Sequence, residues 1–268
     1  MKNRTVKCII LFLALAFIYA PILILALYSF ADTATIGSAF HFSLQNYVTL
    51  FTTPELMDMI WGTLSLAVFS AIIATILGTV GAIGVFYSKK RAQMVANVVN
   101  QIPVVNADVV TGFSICILLV VVFGVSKDTF FPLIAGHVTL SAPFVYLAVL
   151  PKLKQMDSSL YEAALDLGAS PAYALRKVIL PQIMSGVISG FALAITLSLD
   201  DYFIATDTKP ATFDTISTYV VNATKGSQTE IKTALWALST IIFVLVLIFA
   251  VLMNVVSNKR SDDRKAGA

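Results

Sequence analysis

Long uninterrupted apolar stretches are the feature of this sequence that most restricts its fold. Several of them reach the roughly 20 residues that a helix needs to cross about 30 Å of hydrocarbon, and six segments are candidate spans. They are Cys8–Phe30, Trp61–Ser88, Pro103–Gly124, Phe131–Leu150, Met184–Ala205 and Thr233–Ser257. Only 12% of the 268 residues are charged, too few to cover the surface of a water-soluble domain. The sequence therefore predicts an all-α integral membrane protein with six transmembrane helices.

The distribution of lysine and arginine predicts the orientation in the membrane. Of the 18 basic residues, 14 lie in the N-terminal segment, the second–third connection, the fourth–fifth connection and the C-terminal tail. Because cytoplasmic loops carry the excess of positive charge, we expect both termini on the cytoplasmic side. The first apolar stretch is longer than the ~7–15-residue core of a secretion signal, so we expect it to remain as an uncleaved helix.

The connection between the fourth and fifth helices carries the most informative pattern. Ser159 and Glu162 have the spacing of a capping box at a helix start. Gly168 stands where a helix ends in the left-handed conformation, and Ser170-Pro171 restarts a helix. The apolar residues between these points form one helical stripe: Leu160, Ala163, Ala164 and Leu167. This stripe is suited either to dock into a groove of a partner or to lie on the protein's own core.

The same connection resembles the EAA loop of permease subunits of ABC importers. The matching order is Glu162-Ala163-Ala164, three residues, Gly168, nine residues and then Val178-Ile179-Leu180-Pro181. Val178 departs from the family pattern, which usually has isoleucine there. The resemblance implies that this loop carries a coupling helix, which inserts into a cleft of an ATPase subunit. The implied coupling residues are Glu162, Ala163, Ala164, Leu167 and Gly168.

The resemblance also implies the type I ABC importer permease fold and a division of the chain. Residues 1–60 would hold the first helix and an extracytoplasmic loop, residues 61–257 the permease domain with its EAA loop at 152–183, and residues 258–268 a cytoplasmic tail. The implied partners are an ATPase dimer, a homologous permease subunit in a heterodimer, an extracytoplasmic substrate-binding protein and the lipid bilayer of a bacterial inner membrane. No nucleic-acid partner is expected.

The sequence contains no G-x-x-x-x-G-K-[ST] phosphate loop. We therefore expect ATP and Mg²⁺ on the partner ATPase. This chain is expected to hold no cofactor, no metal site and no catalytic residue.

Acidic residues inside the predicted spans are the second functional signal. They are Asp108, Asp200 and Asp201. Charged groups in a bilayer are costly and functional by default, and no lysine or arginine is predicted at their depth, so these carboxylates would attract a cation. The alternative is that they lie at wet helix ends.

A helical projection of the fifth span separates its two acids. One face holds Ser185, Ser189, Thr196 and Asp200, and another holds Gly186, Gly190, Ala194 and Asp201. The second face has the G-x-x-x-G spacing that lets two helices touch. We expect Asp200 to face a conducting path and Asp201 to face a neighbouring helix or the subunit interface.

Three further segments resemble the second, C-type permease subunit of spermidine/putrescine importers. They are Leu197-Ser198-Leu199-Asp200-Asp201-Tyr202-Phe203-Ile204, Asp108-Val109-Val110 followed by Gly112, and Phe213-Asp214-Thr215-Ile216. Asn106-Ala107 departs from that subfamily, which tends to have proline before the acid. We predict a polyamine path formed by Asp108, Asp200, Asp201, Thr196, Tyr202 and Tyr219. The rings of Tyr146, Tyr202 and Tyr219 would make cation–π contacts or serve as membrane-interface anchors.

Three other functions remain open at this stage. The importer would carry a different small solute, or the chain would be an ion-coupled secondary carrier, although no inverted repeat or pair of broken helices is visible. A membrane-embedded serine protease would use Ser114 of Gly112-Phe113-Ser114-Ile115. That motif lacks its second glycine, and neither His41 nor His137 lies in the last helix.

Overall fold

The computed structural model describes residues 2–33, 41–157, 159–225, 233–244 and 247–248. The helices are α1 Lys2–Tyr28, α2 Gln45–Thr52, α3 Pro54–Phe86, α4 Lys90–Val105, α5 Asp108–Cys116, α6 Phe131–Gln155, α7 Ser159–Asp166, α8 Pro171–Ala174, α9 Leu180–Asp200, α10 Phe203–Thr208, α11 Ile216–Lys225 and α12 Thr233–Val244. Two π-helical turns, Ile117–Val122 and Leu175–Ile179, extend α5 and join α8 to α9.

Several of these helices are long and apolar enough to cross a membrane. Four qualify individually, namely Val6–Tyr28, Pro54–Phe86, Phe131–Gln155 and Pro171–Asp200. A fifth crossing results if the bent pair Lys90–Val105 and Asp108–Val122 counts as one span. The protein is therefore a multi-pass membrane protein. The predicted spans Cys8–Phe30, Trp61–Ser88 and Phe131–Leu150 each coincide with one of these helices apart from their ends.

The predicted third span, Pro103–Gly124, is wrong at its start. α4 continues past Pro103 to Val105, and α5 begins at Asp108 after a bend of 103°. Asn106 and Ala107 have extended backbone angles at this break, and the Asn106 side-chain amide donates to Thr111 Oγ1 at 3.0 Å. An apolar pattern indicates burial or lipid contact and carries no information on the direction of the chain. The apolar residues continue on both sides of the bend, so the sequence pattern does not reveal it.

The predicted fifth span, Met184–Ala205, is displaced at both ends. The helix runs from Pro171 to Asp200 and then breaks before the short helix α10. Residues 171–183, about three and a half turns, precede the predicted start, and Arg176 and Lys177 continue the helix there although they are charged. The predicted sixth span, Thr233–Ser257, begins with α12, and its remainder and the predicted tail at 258–268 lie largely or wholly outside the described residues.

The described chain divides into two compact units. The first comprises the described parts of residues 1–57 and 220–268, and the second runs from Asp58 to Tyr219. In the first unit, the ring of Tyr28 at the end of α1 meets the edge of the Trp236 ring in α12, with centroids 6.1 Å apart.

The second unit is organised around α6. One buried apolar cluster joins α3, α6, α9 and the π-turn before α9: Ala71, Ala74, Ala82, Val145, Tyr146, Val149, Leu150, Leu153, Ile179, Ile183 and Ala194. The most extensive helix contact is that between α6 and α9. Small residues bring the neighbouring helices close to α6, because packing of helices in a membrane depends on backbone approach rather than on exclusion of water.

Val145 of α6 lies between glycines of two neighbouring helices. A Cβ atom added at Gly78 of α3 would be 2.7 Å from Val145 Cβ and 2.8 Å from the Ala142 carbonyl oxygen. A Cβ atom added at Gly190 of α9 would be 3.0 Å from Val145 Cγ1. Neither glycine position has room for a side chain, so α6 packs closely against α3 on one side and against α9 on the other.

We predict that Gly78→Ala destabilises the protein relative to Gly81→Ala. Both substitutions gain about 1 kcal/mol of helix propensity, and both lie in α3. A Cβ atom at Gly81 meets nothing within 4 Å, whereas one at Gly78 meets α6 backbone, and overpacking of this kind costs about 1–3 kcal/mol. Thermal unfolding of the purified proteins in detergent measures the difference, and equal midpoints would contradict the α3–α6 contact.

Candidate functional site

The end of α7 has the glycine stop that the sequence predicts. Gly168 has φ +85°. Its N–H donates to the Leu165 carbonyl at 2.9 Å, and the Ala169 N–H donates to the Ala164 carbonyl at 3.0 Å. These two bonds are those of a Schellman motif, which satisfies the last carbonyls of a helix and reverses the chain. The predicted left-handed helix stop at Gly168 is confirmed.

The start of α8 is also confirmed, and the start of α7 differs in detail. Ser170 Oγ accepts from the Tyr173 N–H at 3.3 Å, and Pro171 is the first residue of α8. Ahead of α7, the N–H and the hydroxyl of Ser159 both donate to Asp157 Oδ1, at 2.9 and 2.8 Å. The helix start is thus held by Asp157, two residues before the predicted cap. These bonds keep the pKa of the Asp157 carboxyl below its usual value, and its negative charge suits a helix N-terminus.

The apolar stripe of α7 is open rather than covered by the described chain. Leu167 is 90% exposed and Leu160 is 39% exposed. Glu162 and Ala163 are also exposed, and Ala164 is half-buried. Beside the stripe, a shallow open cavity of about 520 Å³ is lined by Ala164, Leu167, Gly168, Ala169, Ser170 and Tyr173. Of the two interpretations of the stripe, docking onto a partner fits this exposure.

The opposite side of α7 packs inward. Tyr161 is half-buried beside the core, and its ring lies 5.0 Å from that of Tyr87 at the end of α3. α7 also contacts α8 and the π-turn Leu175–Ile179, whose last residue Ile179 is fully buried. The exposed stripe therefore lies on a helix whose other face packs against the π-turn that leads into α9.

The two predicted faces of α9 are separated as expected. Ser185, Ser189, Thr196 and Asp200 are exposed, whereas Gly186, Gly190, Ala194 and Ser198 are buried. The glycine face packs on α6, since a Cβ atom at Gly186 would be 2.9 Å from the Ala148 carbonyl oxygen. The hydroxyl face is left uncovered by the described chain.

Asp201 is buried and occupied by hydrogen bonds within its own chain. It is 7% exposed. Its Oδ1 accepts from the Ile204 N–H at 3.2 Å and its Oδ2 accepts from the Ala205 N–H at 2.7 Å. These are the unpaired donors at the start of α10, so Asp201 ends α9 and caps α10. The sequence predicts that Asp201 faces a neighbouring helix or the subunit interface. In the structure it faces α10 and α6.

A buried polar network connects Asp201 to α6, α9 and α3. His137 Nε2 is 3.8 Å from Asp201 Oδ2, and His137 Nδ1 is 3.0 Å from Ser198 Oγ. Ser198 Oγ lies 3.3 Å from Ser70 Oγ. The residue types are those of a hydrolytic triad, but Ser198 is 2% exposed and enclosed by Ser70 and His137. A substrate carbonyl has no approach to its oxygen, so the network holds helices together.

α10 is wedged between α5 and α6. A Cβ atom at Gly112 of α5 would be 2.9 Å from Ile204 Cα, and one at Gly136 of α6 would be 2.5 Å from Ile204 Cγ2. The same Cβ at Gly112 would be 3.3 Å from Asp207 Oδ2, so this acid of α10 lies against α5. The sequence gives no role to Asp207, because the predicted fifth span ends at Ala205, two residues before it.

The structure brings Asp108 and Asp200 near Asp201 without burying them. Asp108 is exposed in the first turn of α5, and Asp200 is exposed at the last turn of α9. Both carboxylates interact electrostatically with that of Asp201. The three predicted acids therefore share one neighbourhood, in which Asp201 is internal and the other two remain accessible.

The three tyrosines proposed for cation–π contacts also differ in exposure. Tyr146 is 4% exposed, and its hydroxyl donates to Asn97 Oδ1 at 2.7 Å, so it is a core residue and not a cation–π partner on a path. Tyr202 is half-exposed, and its ring meets the edge of Phe203 with centroids 5.2 Å apart. Tyr219 is half-buried in α11.

Residues 74–262 match the protein family described as "Binding-protein-dependent transport system inner membrane component". The chain belongs to this family. The permease is 32% identical over 252 residues to the spermidine/putrescine transport system permease protein PotC of Haemophilus influenzae, covering 94% of this chain and 96% of the relative. It is 34% identical over 204 residues to the putrescine transport system permease protein PotI of Escherichia coli K12, covering 74% and 73%.

Solved structures show the same fold at low identity. The crystal structure of a bacterial ABC transporter involved in the import of the acidic polysaccharide alginate aligns with a TM-score of 0.71 at 20% identity, covering 96% of the permease and 94% of that chain. An inward-facing MetNI methionine ABC transporter aligns with a TM-score of 0.58 at 16% identity, covering 76% and 99%. The all-helical arrangement is thus that of ABC importer permeases.

The residues that sequence reasoning overlooked at this end of the permease are His137, Ser198 and Asp207. Nothing in the sequence indicates that His137 meets Ser198, whose Oγ lies 3.0 Å from His137 Nδ1. A signal for α10 was present, because an aspartate followed by several residues without glycine or proline is typical of a helix start. The apolar content of Tyr202–Ala205 concealed it by extending the preceding span.

We predict that Asp201→Ala destabilises the permease and that Asp200→Ala does not. Asp201→Ala removes the cap of α10 and leaves two buried N–H groups without an acceptor, which costs about 1–2 kcal/mol. Asp200 is its exposed neighbour and serves as the matched control. Thermal unfolding in detergent measures both, and a Tm for Asp201→Ala equal to that of Asp200→Ala would contradict the capping role.

Proposed function

We propose that this chain is the membrane-spanning permease subunit of an ATP-driven importer for a polyamine such as spermidine or putrescine. The observation that carries the ATP-driven part is the exposed apolar stripe of α7, which has the surface of a helix built to enter a partner's groove. The polyamine part is supported by the names of the relatives, PotC and PotI, and by the accessible acids.

The proposed assembly follows the sequence prediction. Six helices cross a bacterial inner membrane with both termini in the cytoplasm, and residues 61–257 form the permease domain. The partners are an ATPase dimer, a second homologous permease and an extracytoplasmic substrate-binding protein. ATP and Mg²⁺ bind to the ATPase, and this chain supplies the path without a cofactor or a catalytic residue.

The coupling step is proposed to pass from α7 to α9 as a mechanical displacement. α7 contacts the π-turn Leu175–Ile179, which continues directly into α9. The whole helix Pro171–Asp200 has 30 residues and is therefore about 45 Å long. Because its glycine face is packed closely on α6, a displacement at the α7 end is transmitted along the helix toward Asp200.

The exposed face of α9 has the chemistry to accept an alkylammonium group. Ser189 Oγ donates to the Ser185 carbonyl at 2.8 Å, and Thr196 Oγ1 donates to the Ala192 carbonyl at 3.0 Å. Each hydroxyl proton is thus used within the helix, which leaves oxygen lone pairs to accept from a solute. These acceptors lead along one face to the carboxylate of Asp200.

A flexible polycation suits this series of neutral and charged acceptors. Asp108 contributes a second exposed carboxylate near the same end, and the half-exposed ring of Tyr202 is adjacent in sequence to the break. Tyr219 remains a proposed member of the path. Asp201 takes a positioning role in this proposal, because its oxygens are committed to α10.

We predict that Leu167→Asp separates the permease from its ATPase. The substitution places a charge on the most exposed apolar side chain of the stripe, where burial in a partner's cleft would leave it unpaired. Asp166→Asn, at an exposed neighbouring position, is the control. Co-purification with the ATPase should fall at least about tenfold for Leu167→Asp, equivalent to ~1.4 kcal/mol. Unchanged recovery of the ATPase would overturn the coupling role of α7.

We predict that Asp200→Asn lowers polyamine uptake about tenfold or more without loss of folded protein. The charge is removed from the accessible acid at the end of the hydroxyl face, while Asp128→Asn changes an exposed acid elsewhere as the control. Radiolabelled spermidine and putrescine uptake into proteoliposomes of the full complex is the measurement. Normal uptake by Asp200→Asn would remove this residue from the path.

The same proteoliposomes distinguish the competing functions. Uptake that requires internal ATP and survives an uncoupler supports the importer, whereas uptake that follows an ion gradient without ATP supports a secondary carrier. ATP-dependent uptake of a different small cation, with no uptake of polyamines, would retain the importer and replace its substrate.

A further inference from the structure

Helix α2, in the first unit, has two faces of different character. Asn46 and Leu50 are buried. On the opposite side, Leu44 at the helix start, Val48 and Phe51 are 53%, 50% and 60% exposed. These three positions are spaced by four and three residues and form one apolar stripe at helical periodicity. A helix against water would carry polar residues on this side.

Hydrogen bonds attach α2 to the end of α1. The Asn46 side-chain amide donates to the Ser29 carbonyl at 3.0 Å and to the Ala31 carbonyl at 2.9 Å. The hydroxyls of Ser29 and Tyr47 lie 2.8 Å apart. The ring of Phe30 packs against those of Phe42 and Tyr47, with centroids 5.6 and 5.0 Å apart. The depth of α2 relative to the membrane is therefore fixed by the position of the C-terminal end of α1.

The length of α1 places that end at the bilayer surface. Its apolar span Val6–Tyr28 has 23 residues and is about 35 Å long, slightly more than the ~30 Å hydrocarbon core. None of the most apolar window of this span is buried by the part of the chain that the structure describes. Ser29 and Ala31 follow immediately, and α2 is bonded to both.

The charge of the segment fits the same location. From His41 to Thr53 there is no lysine, arginine, aspartate or glutamate. The exposed polar residues of α2 are Gln45 and Thr52, which flank the apolar stripe on one side. An apolar stripe with no charged residue beside it can enter the acyl-chain region of a leaflet without burying a charge.

We propose that α2 is an interfacial helix whose stripe of Leu44, Val48 and Phe51 contacts the acyl chains of the lipid leaflet at the C-terminal end of α1. In the proposed orientation this is the outer leaflet. α2 would hold the connection between α1 and α3 at the membrane surface. The inference rests on α1 crossing the membrane and is independent of the transported solute.

Site-directed spin labelling of the full complex in proteoliposomes tests this placement. Cys8→Ser and Cys116→Ser give a host without cysteine. Nitroxides are attached one at a time through Val48→Cys and Phe51→Cys, through Leu50→Cys as the buried control, and through Asp128→Cys as the exposed polar control. Power saturation compares collisions with oxygen, which concentrates in lipid, and with a water-soluble nickel chelate.

We expect the ratio of oxygen to nickel collisions to exceed one at Val48 and Phe51 and to fall below one at Asp128. Leu50 should show low collision rates with both reagents. A ratio below one at both stripe positions, with protection when the binding protein is added, would overturn the proposal in favour of a protein-docking surface. Low collision rates with both reagents at Val48 and Phe51 would overturn it in favour of contact with another permease chain.

Discussion

The close packing of α9 on α6 is the contact on which the rest of the second unit depends. Gly186 and Gly190 place no side-chain atom between α9 and α6 at these two positions, so that the backbone of α9 closely approaches α6 there. This contact decides which side of α9 is internal and which side is free. Since the helix continues from Pro171 to Asp200 without interruption, it joins the exposed stripe of α7 to the acids at the far end.

The break after Asp200 gives two consecutive acids opposite roles. Asp200 completes α9 and remains exposed, whereas Asp201 turns inward and caps α10. Ile204 of α10 fills the space that Gly112 and Gly136 leave open, and this packing holds α10 between α5 and α6. The exposed acids Asp108 and Asp200 therefore lie at the ends of closely packed helices.

Prediction from sequence succeeded where local chemistry is sufficient. Gly168 at a positive φ and Ser170 as a cap follow from residues within one turn of the chain. The two faces of α9 follow from the 100° rotation per residue. Prediction failed at the break before Asp108 and at the start of α10, because an apolar pattern continues through a change of direction. It also offered Tyr146 as a cation–π partner or an interface anchor, although the Tyr146 hydroxyl donates to Asn97 Oδ1, far away in sequence.

The sequence by itself determined that the chain crosses a membrane several times and which side of α9 is polar. It also determined where α7 ends and where α8 begins. These properties depend on hydropathy and on backbone preferences of neighbouring residues. Only the tertiary structure decided that the α7 stripe is open, that Asp201 is internal while Asp200 is accessible, and that α2 is bonded to the end of α1. Those outcomes depend on which distant groups meet, and residues such as Asn46 and Ser29 carry no local signal of their partners.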